Sequence, residues 1–153
     1  MKKILRSVFG WHADTILIVE PDQALRKLEW RALSGKYRII QTSSVEEAVR
    51  TAARHTAEVD LLVTNVQLPH RFGWELMQLL RLDYPDLQVV YTSSSVDAEI
   101  RARTYPFIVV VLDNPFRPDR LRQAVCDALE SRQNDRIGPK YAAHSPPVSR
   151  LHS

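Results

Sequence analysis

The 153-residue chain is expected to fold as an α/β domain on a doubly wound, five-stranded parallel sheet. Three observations lead there. Short apolar runs rich in β-branched residues recur between residues 15 and 112, stretches with helical periodicity separate them, and each run ends in a polar or proline-containing turn. Strands that alternate with helices through short loops pair in parallel by right-handed crossovers, and helices then cover both faces of the sheet.

Thr15-Ile16-Leu17-Ile18-Val19 is a continuous apolar run, as a strand buried on both faces requires, and it stops at Glu20-Pro21-Asp22. Asp22 is placed to cap a helix in which Leu25, Leu28, Glu29, Ala32 and Leu33 share helical spacing, with Gly35 as its stop. A second strand spans Tyr37 to Ile40. Ser43 and Ser44 stand three residues ahead of Glu46 and Glu47, so either pair makes a capping box for a helix through Ala48, Val49, Ala52 and Ala53. Leu61 to Thr64 form a third strand that ends at Asn65, and residues 66–73 read as a loop. A helix with Leu76, Leu79 and Leu80 follows and ends before Pro85. The fourth strand is Leu87 to Tyr91, closed by Thr92-Ser93-Ser94-Ser95. A helix poor in apolar residues spans Val96 to Arg103, and the fifth strand spans Phe107 to Leu112. After Asn114-Pro115-Phe116 the last helix begins near Pro118, a favourable first-turn position, and carries Leu121, Ala124, Val125, Ala128 and Leu129.

This pattern divides the chain into an N-terminal basic amphipathic segment (1–14), a domain (15–132) and a disordered tail (133–153) that is rich in Pro, Ser and His and lacks periodicity. A hydrophobic content of 44% is enough for one core. The only cysteine, Cys126, lies on the apolar side of the last helix and reads as a core residue, and one cysteine allows no internal disulfide, which fits a cytoplasmic location. No apolar run approaches the ~20 residues that span a bilayer. Met1 to Leu5 resembles the start of a signal sequence, but Arg6, Ser7 and Gly10 interrupt it.

The isoelectric point near 9.2 suggests a nucleic-acid partner until the charge is located. Lys2, Lys3 and Arg6 against Asp14 give residues 1–14 a net +2, and Arg136, Lys140 and Arg150 against Asp135 give residues 133–153 another +2. The body between carries net −1, so the basicity lies in the two ends, and no phosphate-tracking surface is expected on the domain. Met1, Ile4, Leu5, Val8, Phe9 and Trp11 fall near one face of a short helical pattern, but a frayed end or packing on the domain itself is expected before membrane contact. The five histidines are scattered without metal-ligand spacing, and Ser93-Ser94-Ser95 lacks the context of a hydrolase nucleophile.

In an open parallel sheet, ligands bind outside the carboxyl ends of the strands. Those ends carry four motifs: the acidic cluster Glu20-Pro21-Asp22, the loop Leu68-Pro69-x-x-x-Gly73, Thr92-Ser93, and Asn114-Pro115-Phe116. In this order and spacing, residues 15–130 resemble the receiver domain of bacterial response regulators. The resemblance implies the (βα)5 flavodoxin-like receiver fold and, after the fifth strand, a cis Asn114–Pro115 bond. It also implies phosphoryl transfer to an aspartate at the end of strand three. Two acidic residues after strand one would hold Mg²⁺ in an oxygen shell, a lysine after strand five would neutralise the phosphoryl group, and a hydroxyl after strand four would hydrogen-bond it.

Residue by residue, the chain departs from that pattern. Asn65 stands at the nucleophile position, Pro21 at the second acidic position and Asn114 at the lysine position. Glu20 matches the first acidic position, Asp22 lies one step past the pair, and Thr92 keeps the expected type. The expectation is a degenerate pseudo-receiver without enzymatic activity or a cofactor. Mg²⁺ binding is not expected, Glu20 and Asp22 being its only weak candidate ligands. Such a module would be a stand-alone, phosphorylation-independent member of a phosphorelay network. It would act by protein–protein interaction with another signalling protein, or as a homodimer, through the face of the fourth helix, fifth strand and fifth helix. Two alternatives stay open: phosphorylation of a residue other than aspartate, or small-molecule sensing in the remodelled pocket; and nucleic-acid or anionic-membrane binding through the basic termini.

Overall fold

The computed structural model describes residues 13–54, 58–93 and 111–135. In chain order its elements are β1 (Thr15–Val19), α1 (Gln23–Leu33), β2 (Arg38–Thr42), α2 (Val45–Arg54), β3 (Leu61–Asn65), β4 (Gln67–Leu68), β5 (Arg71–Phe72), α3 (Gly73–Arg81), β6 (Gln88–Ser93), β7 (Val111–Asp113) and α4 (Pro118–Asp135). Five strands form one sheet in the order β2-β1-β3-β6-β7, and every neighbouring pair is parallel. This is the expected α/β architecture. Residues 1–12, the helix expected over 96–103, residues 107–110 of the fifth strand and the tail from 136 lie outside the described residues.

The unbroken apolar runs follow from burial on both faces. Along β1, Ile16 and Ile18 point into one core with Leu61, Val63, Val90 and the inner residues of α1 and α4. Leu17 and Val19 point the other way, into a second core with Leu62, Val89, Tyr91 and the inner residues of α2 and α3. A strand that alternates between two cores has no solvent side, so no polar residue interrupts it.

Local chemistry sets the helix starts. Asp22 caps α1 by accepting a hydrogen bond from the Leu25 N–H at 2.9 Å. At α2, Ser44 Oγ accepts from the Glu47 N–H at 3.1 Å, while Glu47 Oε2 reaches back to the N–H and the hydroxyl of Ser43, each at 2.9 Å. The capping box therefore uses both serines with one glutamate.

At the amino ends of the strands, buried Asp60 joins three elements. Its Oδ2 accepts from the Thr15 N–H at 2.8 Å and its Oδ1 from Arg132 Nη1 at 2.7 Å, while Arg132 Nη2 pairs with Asp14 at 3.2 Å. These bonds anchor the last turn of α4, which runs to Asp135, three residues into the stretch read from sequence as tail. Two further readings change. Residues 67–72 form a two-stranded hairpin rather than an unpaired loop, turning at Pro69-His70 with His70 at φ 64°. Cys126 stands beside the core face of α4 rather than on it, half-buried, its thiol within 3.5 Å of Glu130 Oε1. No described helix is long and apolar enough to cross a membrane.

Candidate functional site

The carboxyl ends of β1, β3, β6 and β7 bring most of the singled-out residues together. Asn65 is the last residue of β3 and lies in register with Thr92 on β6, whose neighbour Ser93 is in register with Asp113 on β7. Glu20 follows β1 directly, its N–H bonded to the Thr42 carbonyl of β2 at 3.1 Å. Asn114 follows β7 and donates its N–H to the Ser93 carbonyl at 2.7 Å. The Asn114–Pro115 peptide is cis.

Glu20 is 2% exposed. Its Oε1 accepts from the Asp22 N–H at 3.1 Å, and its Oε2 makes no hydrogen bond. Burial pushes this carboxyl above the usual carboxylate range. The Asp22 N–H and the nearby Asn65 side chain pull it back, Asp22 raises it further by its charge, and Arg26 lowers it. Asn65 is buried, and its Oδ1 accepts from the Gln67 N–H at 3.1 Å, which leaves the amide NH₂ as the group that favours the charged form of Glu20. Thr92 is wholly buried and its hydroxyl is without a partner, as are both polar atoms of the half-buried Asn114 amide.

Pro21 and Asp22 are turned outward. Pro21 is exposed, and its carbonyl, with that of Glu20, faces the Arg26 guanidinium: Nη1 lies 2.7 Å from the Glu20 oxygen and 3.4 Å from that of Pro21. Asp22 is exposed and occupied as the α1 cap. The two carboxylates after β1 therefore do not converge, and among the described residues no three His, Cys, Asp or Glu side chains gather where a metal ion could sit.

Three residues to which the sequence reading gave no role at the site also shape this region. Gly73 opens α3 with its N–H on the Val66 carbonyl at 2.8 Å, and a Cβ there would fall 2.4 Å from the Asn65 carbonyl oxygen. Its place in the Leu-Pro-x-x-x-Gly motif was the available signal. Arg26 holds the turn after β1, and nothing in its spacing marked it. Glu29 of α1 is 1% exposed, with both carboxyl oxygens unpartnered. Burial first, and the charge of Glu20 second, push it up to about 9. A cleft of about 610 Å³ opens beside the site, walled by Leu25, Leu28, Pro115 and Phe116 and reaching Glu20 and Asn114.

The response regulator receiver domain family matches residues 16–126, most of this chain. The chain belongs to that family. It is a receiver domain of two-component signalling. Over 134 residues the receiver is 30% identical to the sensor kinase CckA of Brucella abortus strain 2308, a match that covers 86% of this chain and 14% of that protein. Over 93 residues it is 32% identical to the response regulator protein FleR of Pseudomonas aeruginosa, covering 59% of this chain and 19% of that protein. The chain thus spans a small part of either relative. Among solved structures, the signal receiver domain of an HD domain-containing protein from Pseudomonas fluorescens Pf-5 has a TM-score of 0.71 at 22% identity, over 80% of this chain and 99% of that one. The CheY-like receiver domain protein from Methanospirillum hungatei JF-1 also reaches 0.71, at 17% identity, over 80% and 98%. These likenesses establish the fold.

Proposed function

We propose that this receiver signals through protein–protein contact, without aspartyl phosphorylation, without Mg²⁺ and without catalysis of its own. The observation that carries the reading is the state of Asn65. An aspartyl-type phosphoacceptor must offer a carboxylate oxygen with a lone pair directed at phosphorus. Asn65 has one oxygen, already bonded to the Gln67 N–H, and its other terminal atom is an amide nitrogen whose lone pair is delocalised.

The cation and one of the two acidic ligands that would assist such a reaction are absent with it. Asn114 supplies no cation for the developing phosphoryl charge. The residues present do not fit Mg²⁺, which takes a near-octahedral shell of oxygens. Glu20 has one oxygen engaged with Asp22 N–H, Asp22 faces outward as a helix cap, and Pro21 has no side-chain donor. What the site retains is structural: Asn65 ties the end of β3 to Gln67 and steadies Glu20.

Signalling then depends on contact with another signalling protein, or with a second copy of this chain, by a surface that does not wait for phosphate. The test is restoration. The combined variant Asn65→Asp, Pro21→Asp, Asn114→Lys returns nucleophile, ligand and cation together. It is expected to take up a phosphoryl group from acetyl phosphate with Mg²⁺, as read by intact mass. A variant that folds, as judged by circular dichroism, yet stays unmodified overturns the assignment of these three positions.

A further inference from the structure

We infer that the cleft at the strand ends is a binding site for a small amphipathic organic amine, its ammonium held by Glu20 and its apolar body by α1 and the Pro115-Phe116 turn. The inference rests on the phosphorylation-independent reading above, because it assigns the same pocket another ligand.

The cleft's volume, about 610 Å³, lies in the range that takes small molecules. Its walls are mostly apolar: Leu25 and Leu28 from α1 face Pro115 and Phe116 across the opening. Its polar lining is anionic or neutral. Glu20 supplies a carboxylate, Asn65 and Asn114 supply amides, the Asp22 carboxylate is engaged as the α1 cap, and among the described residues no Lys, Arg or His lines it. Arg26, on α1 beside it, is turned to the backbone carbonyls of Glu20 and Pro21. Such a cleft repels phosphate and carboxylates and attracts organic cations.

Glu20 supplies a second, independent observation. It lines the cleft at 2% exposure, and Oε2 has no hydrogen-bond partner. The Asn114 side chain, on the same cleft, lacks a partner at both Oδ1 and Nδ2. Buried polar atoms in this condition are rare and unfavourable. Binding would require a rotamer change that turns Oε2 and Oδ1 toward the cleft, where an ammonium would donate to both. An alcohol or amide ligand offers weaker donors and no charge, so charge discriminates among ligands of one shape.

The test titrates the full chain at neutral pH with benzylamine, benzyl alcohol and benzoate, followed by amide chemical shifts. For so few heavy atoms, a dissociation constant on the order of millimolar is expected. Benzylamine is expected to bind about tenfold or more tighter than either isostere, the value of one hydrogen bond to a charged group. Glu20→Gln is expected to lose that preference. Leu28→Trp, which fills the cleft from its half-buried wall, is expected to abolish binding and serves if the first variant fails to fold. Absent benzylamine binding, equal binding of the alcohol or benzoate, or full binding by a folded variant overturns the inference. Acetyl phosphate with Mg²⁺ is run in parallel. A phosphoryl adduct overturns the functional reading itself, whereas no adduct together with no amine binding overturns only this inference.

Discussion

Glu29 makes the stability of this receiver depend on pH in an unusual direction. The side chain is 1% exposed on α1, neither oxygen has a partner, and desolvation with the charge of Glu20 pushes the carboxyl from 4.5 up to about 9. A folded-state value above the unfolded one means that the native protein holds this proton after the unfolded chain has released it. Stability is therefore fullest below about pH 4.5 and falls as pH rises toward about 9, at up to roughly 1.4 kcal/mol per pH unit. Between about pH 5.5 and 7.5 the loss is on the order of 3 kcal/mol, a large share of the 5–15 kcal/mol typical of a domain. Glu29→Gln keeps the shape and removes the titration. Urea unfolding of both proteins at the two pH values isolates the effect, because the variant lacks only this titrating group. The wild type is expected to lose about 2–3 kcal/mol more than the variant on raising the pH. Equal pH dependence, or a variant that loses more, would refute the reasoning.

Other perturbations test the framework around the site. Gly73→Ala puts a Cβ 2.4 Å from the Asn65 carbonyl oxygen, a backbone atom that cannot step aside. It is expected to destabilise by about 1–3 kcal/mol despite the better helix former, seen as a lower melting temperature by circular dichroism. Asp60→Ala leaves the largely buried Arg132 without its shorter partner and the Thr15 N–H without an acceptor, and is expected to lose about 3–5 kcal/mol in urea unfolding. Asp22→Ala removes the α1 cap at an exposed position, for a loss of about 1 kcal/mol in the same measurement.

The sheet was legible because burial on two faces writes itself into the chain. The run 15–19 is apolar at four of its five positions since each side chain meets one core or the other, and Asp22 and Ser44 are caps whose chemistry is local. The hairpin at 67–72 was not legible, because its turn places His70 at positive φ, where the usual signal is Gly or Asn. Periodicity placed Glu29 with the inward residues of α1, but its neighbours come from packing that sequence spacing does not reveal. The Asp60–Arg132 pair joins residues 72 positions apart, and α4 runs past the expected start of the tail. At the site, motif order located Glu20, Asn65, Thr92 and Asn114. The sequence could not show that Asn65 spends its oxygen on Gln67, that Pro21 is exposed or that the Asp22 carboxylate is spent as the α1 cap.

The central claim concerns Asn65, and mass measurement reaches it most directly. The full chain is incubated with acetyl phosphate and Mg²⁺ and its intact mass followed over time under conditions that preserve acyl phosphates. The expected result is an unchanged mass. A stable phosphoryl adduct on the intact domain would contradict the account, and mapping it would identify the acceptor.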